Sequence, residues 1–253
     1  MINWERLQYM YERKAYRVVQ KHIKKILGEI PLNNISLSNY QILVYSNITE
    51  DKIKEMFVDI YTTVGYDYNK RIKKEIERTT KNVLFSDSFL QDILVFLSGD
   101  GGAKIVSVRG TLIEDIIKAI EDKLKNDTSL INLQNAIYEI VQRSQQFYKW
   151  QALRIARTET TFASAYAAMR AASQSNFEMT KEWIAAKDDR TRKDHRLENG
   201  QIVDFNDPFI MNDGSQLQYP GDPKGTAAQV INCRCTIAFK AKKDKDGNII
   251  FKK

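Results

Sequence analysis

The sequence contains few of the residues that interrupt a chain or anchor it in a membrane. Only four of its 253 residues are Pro, and none lies between Pro31 and Pro208. Apolar runs such as Ile93-Leu-Val-Phe-Leu97 are core-sized, far short of the roughly 20 residues that span a bilayer. The start, Met1-Ile-Asn-Trp-Glu5, lacks the basic and apolar stretches of a signal peptide. We therefore expect a folded protein that is helical over its first two-thirds and has no membrane partner.

Cysteine and histidine are equally scarce, at two residues each. Cys233 and Cys235 are separated by one residue, and a disulfide across so short a loop would be strained. The pair therefore fits a reducing compartment, either as reduced core residues or as metal ligands. Of the two histidines, His22 falls inside the first predicted helix, where a surface or packing role is expected.

Net charge is +7, a mild excess that permits contact with nucleic acid or another acidic partner without demanding it. Apolar residues recur at helical spacing from Trp4 to Leu27, and Gly28 follows in the position that ends helices. The opposite face of this helix is basic. It is either a solvated face or a contact for DNA phosphates, for which the candidates are Arg13, Arg17, Lys21 and Lys24.

The remainder of the first two-thirds also shows helical patterns. We predict a short helix opened by the capping box Ser38–Gln41, a long helix from Thr49 toward Thr79, and another over Ser88–Leu97. The β-branched run Ala103–Arg109 predicts a brief extended segment, and Thr111–Glu114 a capping box that starts a helix to Lys125. Helix is predicted again from Leu130 to Asn176 with one break. Its Ala-rich part, Ile155–Ala172, is suited to close packing against other helices.

The composition then becomes dense in Asp, Asn and Gly, which predicts a small module of short strands and long turns. The expected fold class is thus α+β. We divide the chain into a helical N-terminal region (1–100), a second helical region (101–178), the α+β module (179–241) and a basic tail or hairpin (242–253).

One group of residues in the module could bind a metal ion. Asn232-Cys-Arg-Cys235 has the appearance of a strand, in which alternate side chains share a face, so both cysteines could bind one soft ion. His195 is a natural third ligand, and zinc is the metal that such a set favours. Candidates for a fourth ligand are Asp188, Asp189 and Asp194. The alternative is a pair of small reduced cysteines in the core of the module.

Five ordered pieces of the sequence form a signature. They are Ile155-Ala-Arg-Thr-Glu159, Trp183, Asp188-Asp-Arg-Thr-Arg-Lys-Asp-His195, Tyr219-Pro-Gly-Asp222 and Asn232-Cys-Arg-Cys235. In order and approximate spacing they resemble the phage Mu protein F-like family of minor head proteins. The resemblance covers roughly residues 100 to 240 and gives structural signature positions at Arg157, Glu159, Arg190, Asn232 and Arg234.

The resemblance implies a protein carried in or on the capsid of a tailed phage and present in the host cytoplasm during assembly. Its implied partners are the portal protein, capsid or scaffolding proteins and, through non-specific contacts, double-stranded DNA. Its implied role lies in head assembly and in DNA packaging or delivery. The family's Cys and His residues imply a metal site, here His195, Cys233 and Cys235 with Asp188 or Asp189.

Two further hypotheses follow from the signature. Arg157 and Glu159 are expected to join the helices to the module through buried ion pairs with Arg190 or Asp189. The functional alternative to a structural head protein is a metal-dependent hydrolase that acts during head maturation. It would use His195 with the two cysteines around an ion that keeps one open position.

Overall fold

The computed structural model describes residues 4–80, 89–143, 146 and 148–252. Helices occupy the first part of the chain: α1 Trp4–Gly28, α2 Tyr40–Asn47, α3 Glu50–Tyr61, α4 Asp67–Thr80, α5 Phe89–Ser98, α6 Gly102–Leu124, α7 Leu130–Gln142 and α8 Lys149–Ser173. The module that follows contains β1 Met179–Ile184, α9 Lys193–Leu197, β2 Ile202–Asp204, β3 Phe209–Ile210, β4 Gln216–Leu217, α10 Ala227–Val230 and β5 Thr236–Ala241. The α+β prediction is confirmed. None of the helices in the described ranges combines the length and apolar character that a bilayer span requires.

Helix α8 is the centre of the structure. Its Ala-rich stretch is buried on almost every side, and α1, α3 and α4 pack against it. Small side chains let neighbouring helices approach closely, as the sequence predicted for this segment. Strand β5 also contacts α8, so one continuous buried cluster extends from Tyr11 in α1 to Ile237 in the module.

The predicted helix from Thr49 to Thr79 is present but interrupted. A π-helical turn, Thr62–Tyr66, lies between α3 and α4. Gly65 in this turn lets α5 come close, because a Cβ at this position would lie 2.6 Å from the Phe89 ring. The predicted helix over Ser88–Leu97 is found as α5, although Ser88 itself lies outside the described residues.

Three local predictions were wrong. Ala103–Arg109 is helical and belongs to α6, because Ile105 and Leu112 continue one apolar face that is buried against neighbouring helices. The supposed capping box Thr111–Glu114 therefore lies inside α6. Ser38–Gln41 is not a capping box either, since α2 begins at Tyr40 and its cap residue Asn39 makes no side-chain cap bond. In each case tertiary packing or turn geometry outweighed a local motif.

The module is built on a three-stranded antiparallel sheet with strand order β2-β1-β5. Thr180 pairs with Asp204 on one side of β1 and with Lys240 on the other. Strands β3 and β4 form a separate antiparallel pair. The last residues form a hairpin in which Lys243 is bridged to Ile249, and Phe251 is bridged back to Phe177.

Candidate functional site: a buried His–Cys cluster

The structure brings His195, Cys233 and Cys235 together in the core of the module. His195 Nδ1 lies 3.3 Å from Cys235 Sγ and 3.5 Å from Cys233 Sγ. The three ligand atoms all lie within 4.8 Å of one another, and each residue is only 1% exposed. His195 comes from α9, whereas the cysteines precede β5.

The sequence predicted that the two cysteines lie in a strand, and this prediction was wrong. Cys233 and Cys235 do not lie in a strand, since β5 begins at Thr236. They lie in a loop that starts at Asn232, whose φ of +59° is the left-handed conformation that Asn tolerates better than most residues. The loop places both sulfurs toward His195, an arrangement that strand alternation was expected to provide.

Hydrogen bonds fix which imidazole nitrogen faces the sulfurs. Gln229 Nε2 donates to Asp194 Oδ2 at 3.1 Å and to Asp213 Oδ2 at 2.6 Å. Because carboxylates only accept, the Gln229 amide is oriented with Oε1 toward His195 Nε2, at 2.8 Å. Nε2 therefore donates to Gln229, while Nδ1 faces the two sulfurs. Such outer partners orient the histidine ligands of metal sites.

The two thiols are electrostatically linked. Cys233 donates its S–H toward Cys235 and is buried, and both effects raise the pKa of Cys233 well above its usual value. The same hydrogen bond, helped by His195, lowers the pKa of Cys235 well below its usual value. The two sulfurs thus form a hydrogen-bonded pair, and a metal would bind both cysteines as thiolates.

The spacing of the donors fits zinc. With Zn–S near 2.3 Å and Zn–N near 2.0–2.1 Å, tetrahedral geometry separates nitrogen and sulfur ligands by about 3.6 Å. The observed separations of 3.3 and 3.5 Å are close to that value. Among the described residues the cluster supplies these three ligands.

The predicted fourth ligand Asp188 is engaged elsewhere. Its Oδ2 pairs with Arg234 Nη2 at 2.5 Å, and its Oδ1 accepts from Thr191 Oγ1 at 3.0 Å. The backbone N–H of Arg190 also donates to Asp188 Oδ1, at 3.1 Å. Asp188 therefore organises the turn before α9, and within the described residues neither it nor Asp189 joins the cluster.

The pieces of the sequence signature contact one another along α8. Thr158 Oγ1 accepts a hydrogen bond from the Asn232 backbone N–H at 3.0 Å, and Thr161 Oγ1 donates to the Cys233 carbonyl. Gly221 packs so closely that a Cβ there would lie 3.0 Å from the Phe162 nitrogen. We call this interface of α8 with 219–222 and 232–235 the signature contact.

The predicted ion pairs of Arg157 and Glu159 were wrong in their partners. Arg157 Nε lies 3.4 Å from Glu12 Oε2 in α1, and Arg157 Nη1 lies 3.5 Å from Asn232 Oδ1. Glu159 faces the opposite way, where its Oε2 accepts from Lys104 Nζ at 2.7 Å and from Tyr61 Oη at 2.6 Å. Burial, and then the Glu159 carboxylate, raise the pKa of Tyr61.

Several residues of the site were missed from sequence. Gln229 orients His195, Thr158 and Thr161 hold the cysteine loop, and Lys104 neutralises Glu159. A lone Gln between Ala228 and Val230, or a Thr in a helix, has no spacing that predicts such contacts. They depend on tertiary placement alone.

The four basic residues predicted for nucleic acid do not share one surface. Arg13 and Arg17 line a cavity of about 1040 Å³ between α1 and α4, which we call the basic groove. Lys21 lines a different depression of mixed charge, together with Asp51, Glu55 and Asp59. Lys24 is exposed farther along α1.

Comparison with known proteins agrees with the sequence signature. The model of the family described as phage Mu protein F like protein matches residues 107–238, about half of the chain. NAD(+)–arginine ADP-ribosyltransferase EFV of Enterococcus faecalis is 34% identical over 100 residues, which cover 38% of this chain and 20% of that protein. The chain thus spans about a fifth of that relative's length. No solved structure matches significantly. With the signature residues in mutual contact and the family model matched across them, the chain belongs to the phage Mu protein F like family.

Proposed function

We propose that this protein is a minor head protein of a tailed bacteriophage or prophage, associated with the portal and acting in head assembly and in DNA packaging or delivery. The observation that carries the proposal is the family match across residues 107–238, which includes the whole signature contact. Membership of this family supports a role in phage head morphogenesis, capsid-related partners and a location in the virion. The portal protein and capsid or scaffolding proteins are the partners we assign, and host cytoplasm is the site of assembly.

The His–Cys cluster supports a structural zinc site rather than the hydrolase alternative. A catalytic zinc keeps a coordination position that substrate can reach, whereas a structural zinc is enclosed by protein. All three donor residues here are 1% exposed, in a core that also contains Trp183. When bound, zinc would join α9 to the loop before β5, and through the signature contact it would brace the module against α8.

Non-specific contact with packaged DNA is part of the same proposal. Exposed cations on α1 would meet phosphates, a contact that fixes position without reading sequence. Such binding weakens steeply as salt concentration rises.

Co-assembly of the protein with the other head proteins tests this proposal. The protein is co-produced with the portal and major capsid proteins of its phage, and the assemblies are separated on a density gradient. We expect it to co-sediment with assemblies that contain portal and to be depleted from those formed when portal is omitted. Recovery only as free protein at the top of the gradient, with portal-containing assemblies formed, would refute the proposal.

A further inference from the structure

The basic groove lies in the N-terminal region, outside residues 107–238 that the family model matches. We infer that it binds the sugar–phosphate backbone of one strand of double-stranded DNA. This inference rests on the proposed function and deepens it, because it gives the DNA contact a defined site. The groove differs from the face predicted by sequence, since half of it is supplied by α4.

Charge in the groove is strongly one-sided. Its lining contains eight cationic and two anionic side chains. One of the anions, Asp67, is already bound to Arg71, whose Nε lies 3.2 Å from Asp67 Oδ2. Subtracting the two anions from the eight cations leaves a formal charge of +6 within one concave surface. A polyanion is the class of ligand that such a surface attracts.

The cations are arranged in two rows. Helix α1 runs antiparallel to the continuous segment of α3, the π turn and α4. Tyr11 meets Asp67 in α4, whereas His22, farther along α1, meets Asp59 in α3. Residues four apart on a helix share a face and are separated by about 6 Å along the axis. Lys70, Lys74 and Arg78 have this spacing on α4, and Arg6, Arg13 and Arg17 line the α1 wall. A backbone strand lying in the groove would meet positive charge on both sides.

The floor of the groove is held in place. Tyr11 Oη donates to Asp67 Oδ2 at 2.5 Å and accepts from Arg71 Nε at 2.9 Å. Tyr11 is fully buried against α4, where it also packs edge-on against Tyr68. The two walls are therefore fixed relative to each other, which reduces the ordering cost of binding.

The lining favours a contact with phosphates over base readout. Base edges are read by a protein element that enters a groove of the DNA, whereas these cations line a concave surface that a backbone strand can enter. Leu7, Tyr9 and Met10 also line the α1 wall, between Arg6 and Arg13. We therefore expect binding to be independent of base sequence.

The test measures affinity of the full-length protein for a fluorescent duplex of about 30 base pairs by anisotropy at several salt concentrations. The groove variant is R13Q/R17Q/K70Q/K74Q. If each of the four cations neutralises one phosphate, the slope of log affinity against log salt falls in magnitude by about 3.6. We expect affinity at low salt to fall by at least about 30-fold. Circular dichroism and thermal unfolding check that the variant is folded.

The matched control is K118Q/K125Q/K243Q/K245Q, which removes the same charge from exposed lysines at α6 and in the C-terminal hairpin. We expect its affinity to change by less than about threefold. An equal loss in this control would overturn the inference, because binding would then follow net charge alone. So would a difference of tenfold or more between duplexes of unrelated sequence.

A second arm separates DNA from an acidic protein partner. Poly-glutamate is offered as a competitor, and its binding is measured directly on wild type and on the groove variant. Groove-dependent binding of poly-glutamate that excess duplex does not displace would overturn the inference in favour of an acidic protein segment. A wild-type protein that co-sediments with portal assemblies but does not bind duplex would refute the groove and leave the head role intact.

Discussion

The backbone N–H of Asn232 donates to Thr158 Oγ1 at 3.0 Å and thereby ties the cysteine loop to the central helix α8. The same residue accepts from Arg157 through its side chain, at 3.5 Å. Two signature motifs that lie 74 residues apart in the chain are thus one structural unit. Each motif therefore positions the other.

Replacing Thr158 with Val tests this bond. Val keeps the shape of the side chain but cannot accept, so the Asn232 N–H loses its protein partner. We expect the free energy of unfolding to fall by about 1–2 kcal/mol, as for other lost hydrogen bonds at partly buried sites. Chemical denaturation measures the change. Thr158→Ser is the control, because it retains the acceptor, and a Val variant no less stable than the Ser variant would contradict the assignment.

The second prediction concerns the pair formed by Lys104 and Glu159. Their side chains are only 14% and 3% exposed, so removing one charge leaves the other poorly solvated. Glu159→Gln should lower stability by about 2–4 kcal/mol, whereas Lys104→Met/Glu159→Gln should cost clearly less than the sum of the single changes.

An exposed pair supplies the comparison. Lys125 and Asp122 have side chains that are 70% and 52% exposed, and Asp122→Asn should change stability by less than about 0.5 kcal/mol. Additive effects at the buried pair, measured by the same urea titrations, would mean that Lys104 and Glu159 do not interact in solution.

The third prediction is that protein purified without chelator contains about one zinc per chain. His195, Cys233 and Cys235 would hold this zinc in the folded protein. Its removal by a chelator should therefore lower the melting temperature. Elemental analysis and thermal unfolding measure the two effects. Cys233→Ser and Cys235→Ser should each lose the metal, and their unfolding should become insensitive to chelator.

Gln229→Met gives a sharper test of the zinc site. It leaves the three donors in place but removes the acceptor that holds His195 Nε2. Zinc affinity should drop by about 10–100-fold, as for other outer partners of metal ligands. The zinc site would be refuted if wild type purified without chelator contained no zinc and melted identically with and without chelator. The cysteines would then be a reduced core pair.

Sequence reasoning succeeded where the signal was long or ordered. The apolar spacing of α1 and the small residues of α8 predicted helices that the structure contains, because burial of one face controls such segments. It also named the three members of the His–Cys cluster. It failed at Ala103–Arg109, where β-branched residues suggested strand but packing of α6 decided the outcome.

Other features could not have been predicted from one sequence. The partners of Arg157 and Glu159 are set by which face of α8 each residue occupies after α1 and α6 have packed. The basic groove needed the antiparallel arrangement of α1 and α4, since neither helix alone shows two rows of charge. Contacts of this kind form between helices that are distant in sequence, so no local residue spacing predicts them.

The last prediction concerns Lys181, which is fully buried in β1. Its Nζ donates to the Gln218 carbonyl at 3.0 Å and to Gln218 Oε1 at 2.6 Å. Desolvation lowers the pKa of Lys181 to about 8, although Asp222 and Asp207 oppose the shift. The unfolded chain has a lysine pKa near 10.4 and thus binds more protons between about pH 8 and 10. Below pH 8 the buried charge of Lys181 lowers the free energy of unfolding. This destabilisation is lost as pH rises from about 8 to 10, so the free energy of unfolding should increase over that range.

Buried tyrosines act in the opposite direction. Burial raises the pKa of Tyr61 and Tyr68, so their contribution to stability falls above about pH 10, where the unfolded tyrosines ionise.

Comparison of wild type with Lys181→Met isolates the effect of the lysine, because the variant retains the tyrosines. The free energy of unfolding of wild type minus that of the variant should rise by about 1–3 kcal/mol from pH 7.5 to 10. Lys240→Met, at an exposed position of β5, should show no such rise. A difference between wild type and Lys181→Met that stays constant over this range would mean that Lys181 keeps an ordinary pKa, and that Gln218, Asp207 and Asp222 compensate fully for its burial.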